Sequence, residues 1–394
     1  MKFVCFSFLS PPATDAESSC TGRFLSALAS RGHEVHLITL DYYADKMHLP
    51  DDVVDELLDR RIKVTRLPLK SYCLFRRLLT KIRYGLFGIC TEYIEDAVRV
   101  VRKELKENPG SILITRCAWP ASNLVGWYCR KDAKMWIPHF SDPYPSYKKM
   151  TLGQVWRYPF SYFWLIRCCR DSSFVSVTCK MALRYFNAIT MNRFSEKFHV
   201  AYHIGYPRLR EENISLPQMS GGKMVVHVGA VMNGRPVDWV ARVCSKMAGI
   251  RFVQYGRVAN IRIWPKEVEV RTINNHRMAT SVMIASDAVL ICDLDSGWGY
   301  SPYLASKFVY ALFCGKPLIC VSQPNSEMGH LATEINGVYF VRFGDERGLE
   351  MVMAKLKTGE LESPSFDHLR RFTPDGVAQK YEERIHLILN ETLK

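Results

Sequence analysis

Short apolar runs of strand length alternate with helix-spaced segments along this chain, and the alternation starts twice. Residues 2–9 form an apolar, strand-like run. Residues 21–30 place Phe24, Leu25 and Leu28 on one helical face, and Gly32 ends that helix before a second strand at 34–40. Strand patterns return at 62–67, 111–115, 135–138, 174–178 and 199–203, with helical spacing at 94–105 and 181–186. Residues 205–223 lose the pattern and carry two prolines and a Gly-Gly pair, as a linker does. The rhythm then restarts: strands at 224–229, 251–256, 268–273, 288–292, 317–321 and 337–341, and helices at 237–247, 277–285, 306–313 and 348–357. Strand-helix-strand repetition of this kind builds a mainly parallel sheet. The expected architecture is α/β, with two Rossmann-like doubly wound domains facing across a cleft and ligands at the strands' C-terminal ends. The expected boundaries are 1–205 for the first domain, 206–222 for the linker, 223–375 for the second, and 376–394 for a terminal helix able to cross back to the first.

Composition narrows the class. A hydrophobic content of 48% with 23% charged residues is globular. The opening apolar run is short and reaches Pro11-Pro12 without a small-residue cleavage site, so it reads as a strand rather than a leader. No stretch has the ~20 apolar residues needed to span a bilayer. The 13 cysteines have no Cys-x-x-Cys spacing, which fits reduced thiols in a cytoplasmic protein and neither a disulfide framework nor a zinc site. The net charge of +14 is lopsided: residues 1–205 hold 30 Lys/Arg against 19 Asp/Glu, and residues 206–394 hold 23 against 20. Between Arg60 and Thr91 there are nine basic residues and no acid, and between Pro143 and Arg170 five and again none. An anionic partner of the first half follows.

The segment 299–320 carries the most chemistry. Ser306 stands where it could cap a helix, whose free N–H groups attract phosphate, and Lys307 adds a cation at the same mouth. Tyr310 follows on that helix, Gly315 ends it, and Pro317 introduces the next buried strand.

This segment resembles the donor site of GT-B glycosyltransferases, where Ser/Thr-Lys, Tyr, Gly and Pro recur at this spacing ahead of a strand. The resemblance runs over nearly the whole chain. Arg31-Gly32-His33-Glu34-Val35 is similar to the opening of their second strand. Val228-Gly229 with Arg235 is similar to the turn whose basic residue faces the donor diphosphate. Tyr255-Gly256 sits where a glycine turn meets the nucleobase, and Ala285-Ser286-Asp287-Ala288-Val289 matches a strand entrance. The resemblance implies a nucleotide-sugar donor, UDP- or GDP-linked, held by Gly229, Arg235, Tyr255, Gly256, Ser306, Lys307 and Tyr310. It also implies transfer to a lipid-linked or polysaccharide acceptor in cell-surface polysaccharide synthesis.

Three departures bear on mechanism. Asp15-Ala16 replaces the paired glycines of the first loop, and Ala230 the arginine that usually follows Val-Gly. Pro302 and Tyr310 stand where retaining members carry two glutamates. An inverting reaction then needs a carboxylate base. Asp142, on the loop leaving the strand at 135–138, resembles the catalytic aspartate of xanthan-type glucuronosyltransferases. Asp15 and Glu17 are the runners-up, and His139 reads as structural or acceptor-contacting. Asp293 and Asp295 invite a metal, but this fold usually stabilises the leaving diphosphate with N–H groups and cations, so no metal or other cofactor is expected. A nucleotide-sugar epimerase and a non-catalytic sugar-nucleotide or membrane-binding module are the alternatives.

The basic segments 70–87 and 146–170 complete the reading. Leu74, Leu78, Ile82 and Leu86 line one helical face, with Arg76, Arg77, Lys81 and Arg83 off it, and aromatics cluster from Trp156 to Trp164. These features suit an anionic membrane surface, here the inner face of the cell membrane. No nucleic-acid-reading motif accompanies the charge.

Overall fold

In a computed structural model the chain forms two compact units, Met1–His203 with Pro374–Lys394, and Ile204–Thr373. The structure describes residues 1–13, 15–41, 54, 57–68, 75, 78–82, 93–117, 120–145, 152–206, 222–231, 234–259, 264–273, 276–295 and 299–392. Most of the linker read at 206–222 lies outside the described residues, as do Leu74, Leu86, Arg76, Arg77, Arg83 and residues 146–151.

The first unit holds one seven-stranded sheet. Its strands are β1 (Lys2–Ser7), β2 (Glu34–Leu40), β3 (Lys63–Leu67), β4 (Ile112–Cys117), β5 (Met135–Phe140), β6 (Val175–Val177) and β7 (Phe198–Val200). They lie in the order β3-β2-β1-β4-β5-β6-β7, and every pairing is parallel. Every residue of β5, and every residue of β1 after Lys2, is buried. A parallel strand covered on both faces reads as such a continuous run, without alternation. The crossover helices are α1 (Ala16–Ser30), α2 (Ile94–Glu107), α3 (Pro120–Cys129), α4 (Leu152–Asp171) and α5 (Lys180–Ile189). Asp15 starts α1 by accepting from the Ser18 amide at 2.9 Å, and Gly32 leaves it with φ +83°.

The second unit repeats the plan in β8 (Lys223–Val228), β9 (Ile250–Tyr255), β10 (Glu269–Arg271), β11 (Ala288–Cys292), β12 (Tyr300–Ser301), β13 (Leu318–Ser322), β14 (Asn325–Ser326) and β15 (Val338–Arg342). Six of them form a parallel sheet in the order β10-β9-β8-β11-β13-β15, while β12 and β14 pair separately. Its helices are α6 (Val237–Ser245), α7 (His276–Ala285), α8 (Ser306–Leu312), α9 (Glu327–Glu334) and α10 (Glu346–Thr358). Val225, Trp239, Phe252, Leu290 and Ile319 belong to its core. In both units the strand order reverses beside the first strand, between β1 and β4 and between β8 and β11. That reversal opens a crevice at the carboxyl ends of these strands.

The chain ends in α11 (Pro374–Thr392), which belongs to the first unit. Tyr381 packs edge-on against Phe24 of α1 at 5.0 Å. Arg31 donates to both carboxylate oxygens of Glu382, at 2.6 and 3.0 Å, and His33 lies 2.8 Å from the same group. Burial raises the Glu382 pKa, but the bonds from Arg31 and His33 outweigh it and hold the group below its usual value. Two side chains of the Arg31–Val35 motif thus anchor the terminal helix.

The helices α3, α4 and α9 and the β12–β14 pair were not anticipated. Pro159 stands inside the 20-residue α4. No helix among the described residues is long and apolar enough to cross a membrane.

Candidate functional site

In the second unit, β8 and β9 each run into a glycine turn. Gly229 has φ +130° and Gly256 φ +117°, conformations that side-chain-bearing residues rarely adopt. The turns abut: a Cβ on Gly256 would stand 2.7 Å from the Gly229 carbonyl oxygen. The Gly229 amide donates to the Tyr255 carbonyl at 2.7 Å, and the Gly256 amide to that of Arg271 at 2.7 Å.

Beneath these turns lies a polar pair that the sequence reading missed. His227 and Gln254 are register partners on β8 and β9, and both are fully buried. The Gln254 amide nitrogen donates to the Gly229 carbonyl at 2.6 Å. Its oxygen must then accept, and His227 Nδ1, 2.7 Å away, is the donor. Burial, then the charges of Lys307 and Arg235, push the His227 pKa down to about 3, so the ring is neutral at ordinary pH. Gln254 therefore fixes the Gly229 turn from below. The available signal was a polar residue inside an otherwise apolar buried run, which must find a partner.

Lys307 reaches the Gly229 turn from α8. A Cβ at Gly229 would stand 1.7 Å from Lys307 Nζ, so the ammonium occupies the space that only glycine leaves. Burial, then the Arg235 charge, lower the Lys307 pKa to about 8. Among the described residues neither Lys307 nor Arg235 forms an ion pair. Two neighbouring half-buried cations, neither in an ion pair and only Arg235 within electrostatic reach of the buried Asp293, are the electrostatic preparation for an anion.

Ser306 differs from the expectation. The capping position belongs to Ala305, with no side-chain cap bond, and Ser306 is the first residue inside the seven-residue α8. Tyr310 lies buried with its ring 5.7 Å from that of His276. Tyr255 is buried with its hydroxyl 3.3 Å from an Arg271 donor, which leaves its Gly256 turn, rather than its ring, at the strand end. Asp293 accepts from the Ser322 hydroxyl and the Leu294 amide, both at 2.7 Å, and burial raises its pKa. Asp295 accepts from Gln323 at 2.7 Å. Both aspartates of the Asp-x-Asp spacing thus serve hydrogen bonds within the fold.

In the first unit, Asp142 is exposed on the loop that leaves β5. The Ser141 hydroxyl donates to Glu17 at 2.5 Å, joining residues 124 positions apart. Glu17, in the first turn of α1, is half-buried. Burial first, with Cys20 and Asp142 adding, raises its pKa to about 7 against the opposing pull of Arg116 and Ser141. Asp15, the other runner-up base, is occupied in capping α1. His139 is buried, its Nδ1 2.8 Å from the Ser176 hydroxyl, and burial pushes its pKa well down, so the ring is held neutral.

No family model matches the chain, and no curated protein does. Solved structures match along its length. Sucrose-phosphate synthase from Thermosynechococcus elongatus is 12% identical with a TM-score of 0.68, covering 99% of this chain and 100% of its own. Anabaena HepE, solved with UDP and glucose, is 11% identical with a TM-score of 0.65, covering 97% and 99%. A UDP-N-acetylglucosamine 2-epimerase from Listeria monocytogenes is 13% identical with a TM-score of 0.56, covering 96% and 94%. The fold is that of the GT-B glycosyltransferases.

Proposed function

We propose that the chain is a glycosyltransferase that moves a sugar from a nucleoside-diphosphate donor, UDP- or GDP-linked, to a lipid-linked or polysaccharide acceptor. The observation that carries this reading is the pair of neighbouring cations without ion pairs, Lys307 and Arg235, with Lys307 against the Gly229 turn at the strand-order reversal. The second unit is the donor-binding domain. Lys307 and Arg235 take the diphosphate, and Gly229, Tyr255 and Gly256 shape the turns beside it. Ser306 and Tyr310 lie on the helix that carries Lys307. The first unit is the acceptor-binding domain.

In the reaction the acceptor hydroxyl oxygen bonds to the anomeric carbon as the bond from that carbon to the diphosphate oxygen breaks. The hydroxyl proton passes to a carboxylate, and the charge on the departing diphosphate is offset by Lys307 and Arg235 without a metal. Asp142 is the proposed base and the stereochemistry inverting. One observation favours a second assignment: Glu17, bonded to Ser141 and with a pKa of about 7, is tuned for proton transfer near neutrality. The reaction is placed at the cytoplasmic face of the cell membrane, in cell-surface polysaccharide synthesis.

The test incubates the chain with UDP- and GDP-sugars, with and without a lipid extract carrying acceptors. Transfer that needs acceptor and fails in Asp142→Asn or Glu17→Gln supports the reading. A free epimer formed from donor alone would make the chain an epimerase instead.

A further inference from the structure

The helix α4 is amphipathic in an unusual sense. Its inner face holds Leu165, Cys168 and Cys169, all buried. Its outer face holds Trp156, Phe160 and Phe163, at 66%, 37% and 48% exposure. At 100° per residue these three aromatics fall within about 60° of one another, on the side opposite the buried residues. Arg167 lies on the same stripe, its guanidinium 4.7 Å from the Phe163 ring and 5.0 Å from that of Trp127. Among the described residues Arg167 forms no ion pair, whereas Arg170 is taken by Asp171. Scattered exposed apolar residues need no explanation, but an aromatic stripe on the solvent side of an otherwise packed helix does.

Three further apolar side chains are exposed in the other basic span. Residues 78–82 are helical, as is Phe75. Phe75, Leu78 and Ile82 are 74%, 57% and 48% exposed, and along the helical run 78–82 the last two lie about 40° apart. The aromatic stripe lies inside the acid-free basic span 143–170, and Phe75, Leu78 and Ile82 inside the other, 60–91. Apolar groups alone would suit many partners, but flanking cations without acids over both spans select an anionic one. A bilayer surface offers hydrocarbon for the rings and phosphate for the arginines together.

We infer that the Trp156–Phe160–Phe163 stripe, seconded by the exposed Phe75, Leu78 and Ile82, docks the first unit on an anionic lipid bilayer, the aromatics entering the headgroup boundary and Arg167 meeting phosphate. This deepens the lipid-linked acceptor reading and rests on it for the purpose of docking, while the binding itself is tested apart from catalysis.

The experiment sediments the full chain with phosphatidylcholine vesicles, with and without phosphatidylglycerol, at two salt concentrations. The expected result is binding to the anionic vesicles that weakens with salt. The variant Trp156→Ser/Phe160→Ser/Phe163→Ser should lower the partition coefficient at least about tenfold, with thermal stability and UDP affinity unchanged. A measurement on the unaltered fold backs it: brominated lipids should quench wild-type tryptophan fluorescence more than that of Trp156→Phe. Wild type remaining in the supernatant, or equal quenching of both proteins, overturns the inference. So does a stripe that instead supports a concentration-dependent dimer in sedimentation velocity without vesicle binding. UDP binding that persists when vesicle binding fails places the failure on docking and leaves the transferase reading standing.

Discussion

Replacing Gly229 with alanine tests the donor site at its tightest point. The new Cβ would meet Lys307 Nζ at 1.7 Å and Cε at 2.9 Å, so the ammonium must retreat roughly 2 Å to ordinary contact. The lysine is flexible and the retreat itself costs little. The backbone is less forgiving: φ +130° is sparsely populated for alanine, at a cost of roughly 1–3 kcal/mol in stability. The larger effect falls on binding. On the proposed donor site, a displaced Lys307 would lose charge-assisted bonds to the diphosphate worth about 1.5–3 kcal/mol. That corresponds to roughly 10- to 150-fold weaker UDP binding. Isothermal titration calorimetry with UDP, beside urea melts of both proteins, separates the two effects. A Gly229→Ala protein that binds UDP as tightly as wild type would refute the placement of the diphosphate at Lys307.

The other predictions concern charge and anchoring. Because the Lys307 pKa is lowered to about 8, the ammonium is lost as pH rises through that value. UDP affinity should fall above pH 8, and the fall should vanish in Lys307→Met. Glu17, raised from 4.5 to about 7, holds its proton more tightly in the folded state than in the unfolded one. Stability should therefore decrease as pH rises from 4.5 to 7, and Glu17→Gln should abolish that slope in pH-dependent urea melts. If Glu17 is the base, kcat/KM rises through pH 7 and the variant loses that limb; a limb retained by Glu17→Gln and lost by Asp142→Asn assigns the base to Asp142. Glu382→Gln should cost about 1–3 kcal/mol by weakening the charge-assisted bonds from Arg31 and His33. Since the Glu382 pKa is held low, the wild-type advantage should be present above the usual carboxylate pKa and disappear as pH falls through the folded value. Chelation by EDTA should leave turnover unchanged; lost activity restored by a divalent cation would overturn the metal-free mechanism.

The architecture was legible because buried parallel strands read as unbroken apolar runs, as in β1, β5 and β13, with glycines closing the intervening turns. The helix α4 was not, since Pro159 stands inside it and its aromatics read only as a membrane-facing cluster, without a helical period; burial separates its two faces. The site divides in the same way. Lys307, Arg235 and the glycine turns are local patterns that can be read along the chain. The support of the Gly229 turn by Gln254 depends on the β8–β9 register, and the Glu17–Ser141 bond spans 124 positions, so neither has a local signature. Ser306 was misplaced by one residue, because Ala305 takes the cap without a side-chain bond.

The proposed function rests on Lys307 and Arg235 holding the diphosphate of a nucleotide sugar. A thermal-shift panel of nucleoside diphosphates and nucleotide sugars on wild type and Lys307→Met addresses it most directly. One preferred nucleotide should stabilise the wild type and lose most of its effect in the variant. No shift with any nucleotide, or an equal shift in both proteins, would contradict it.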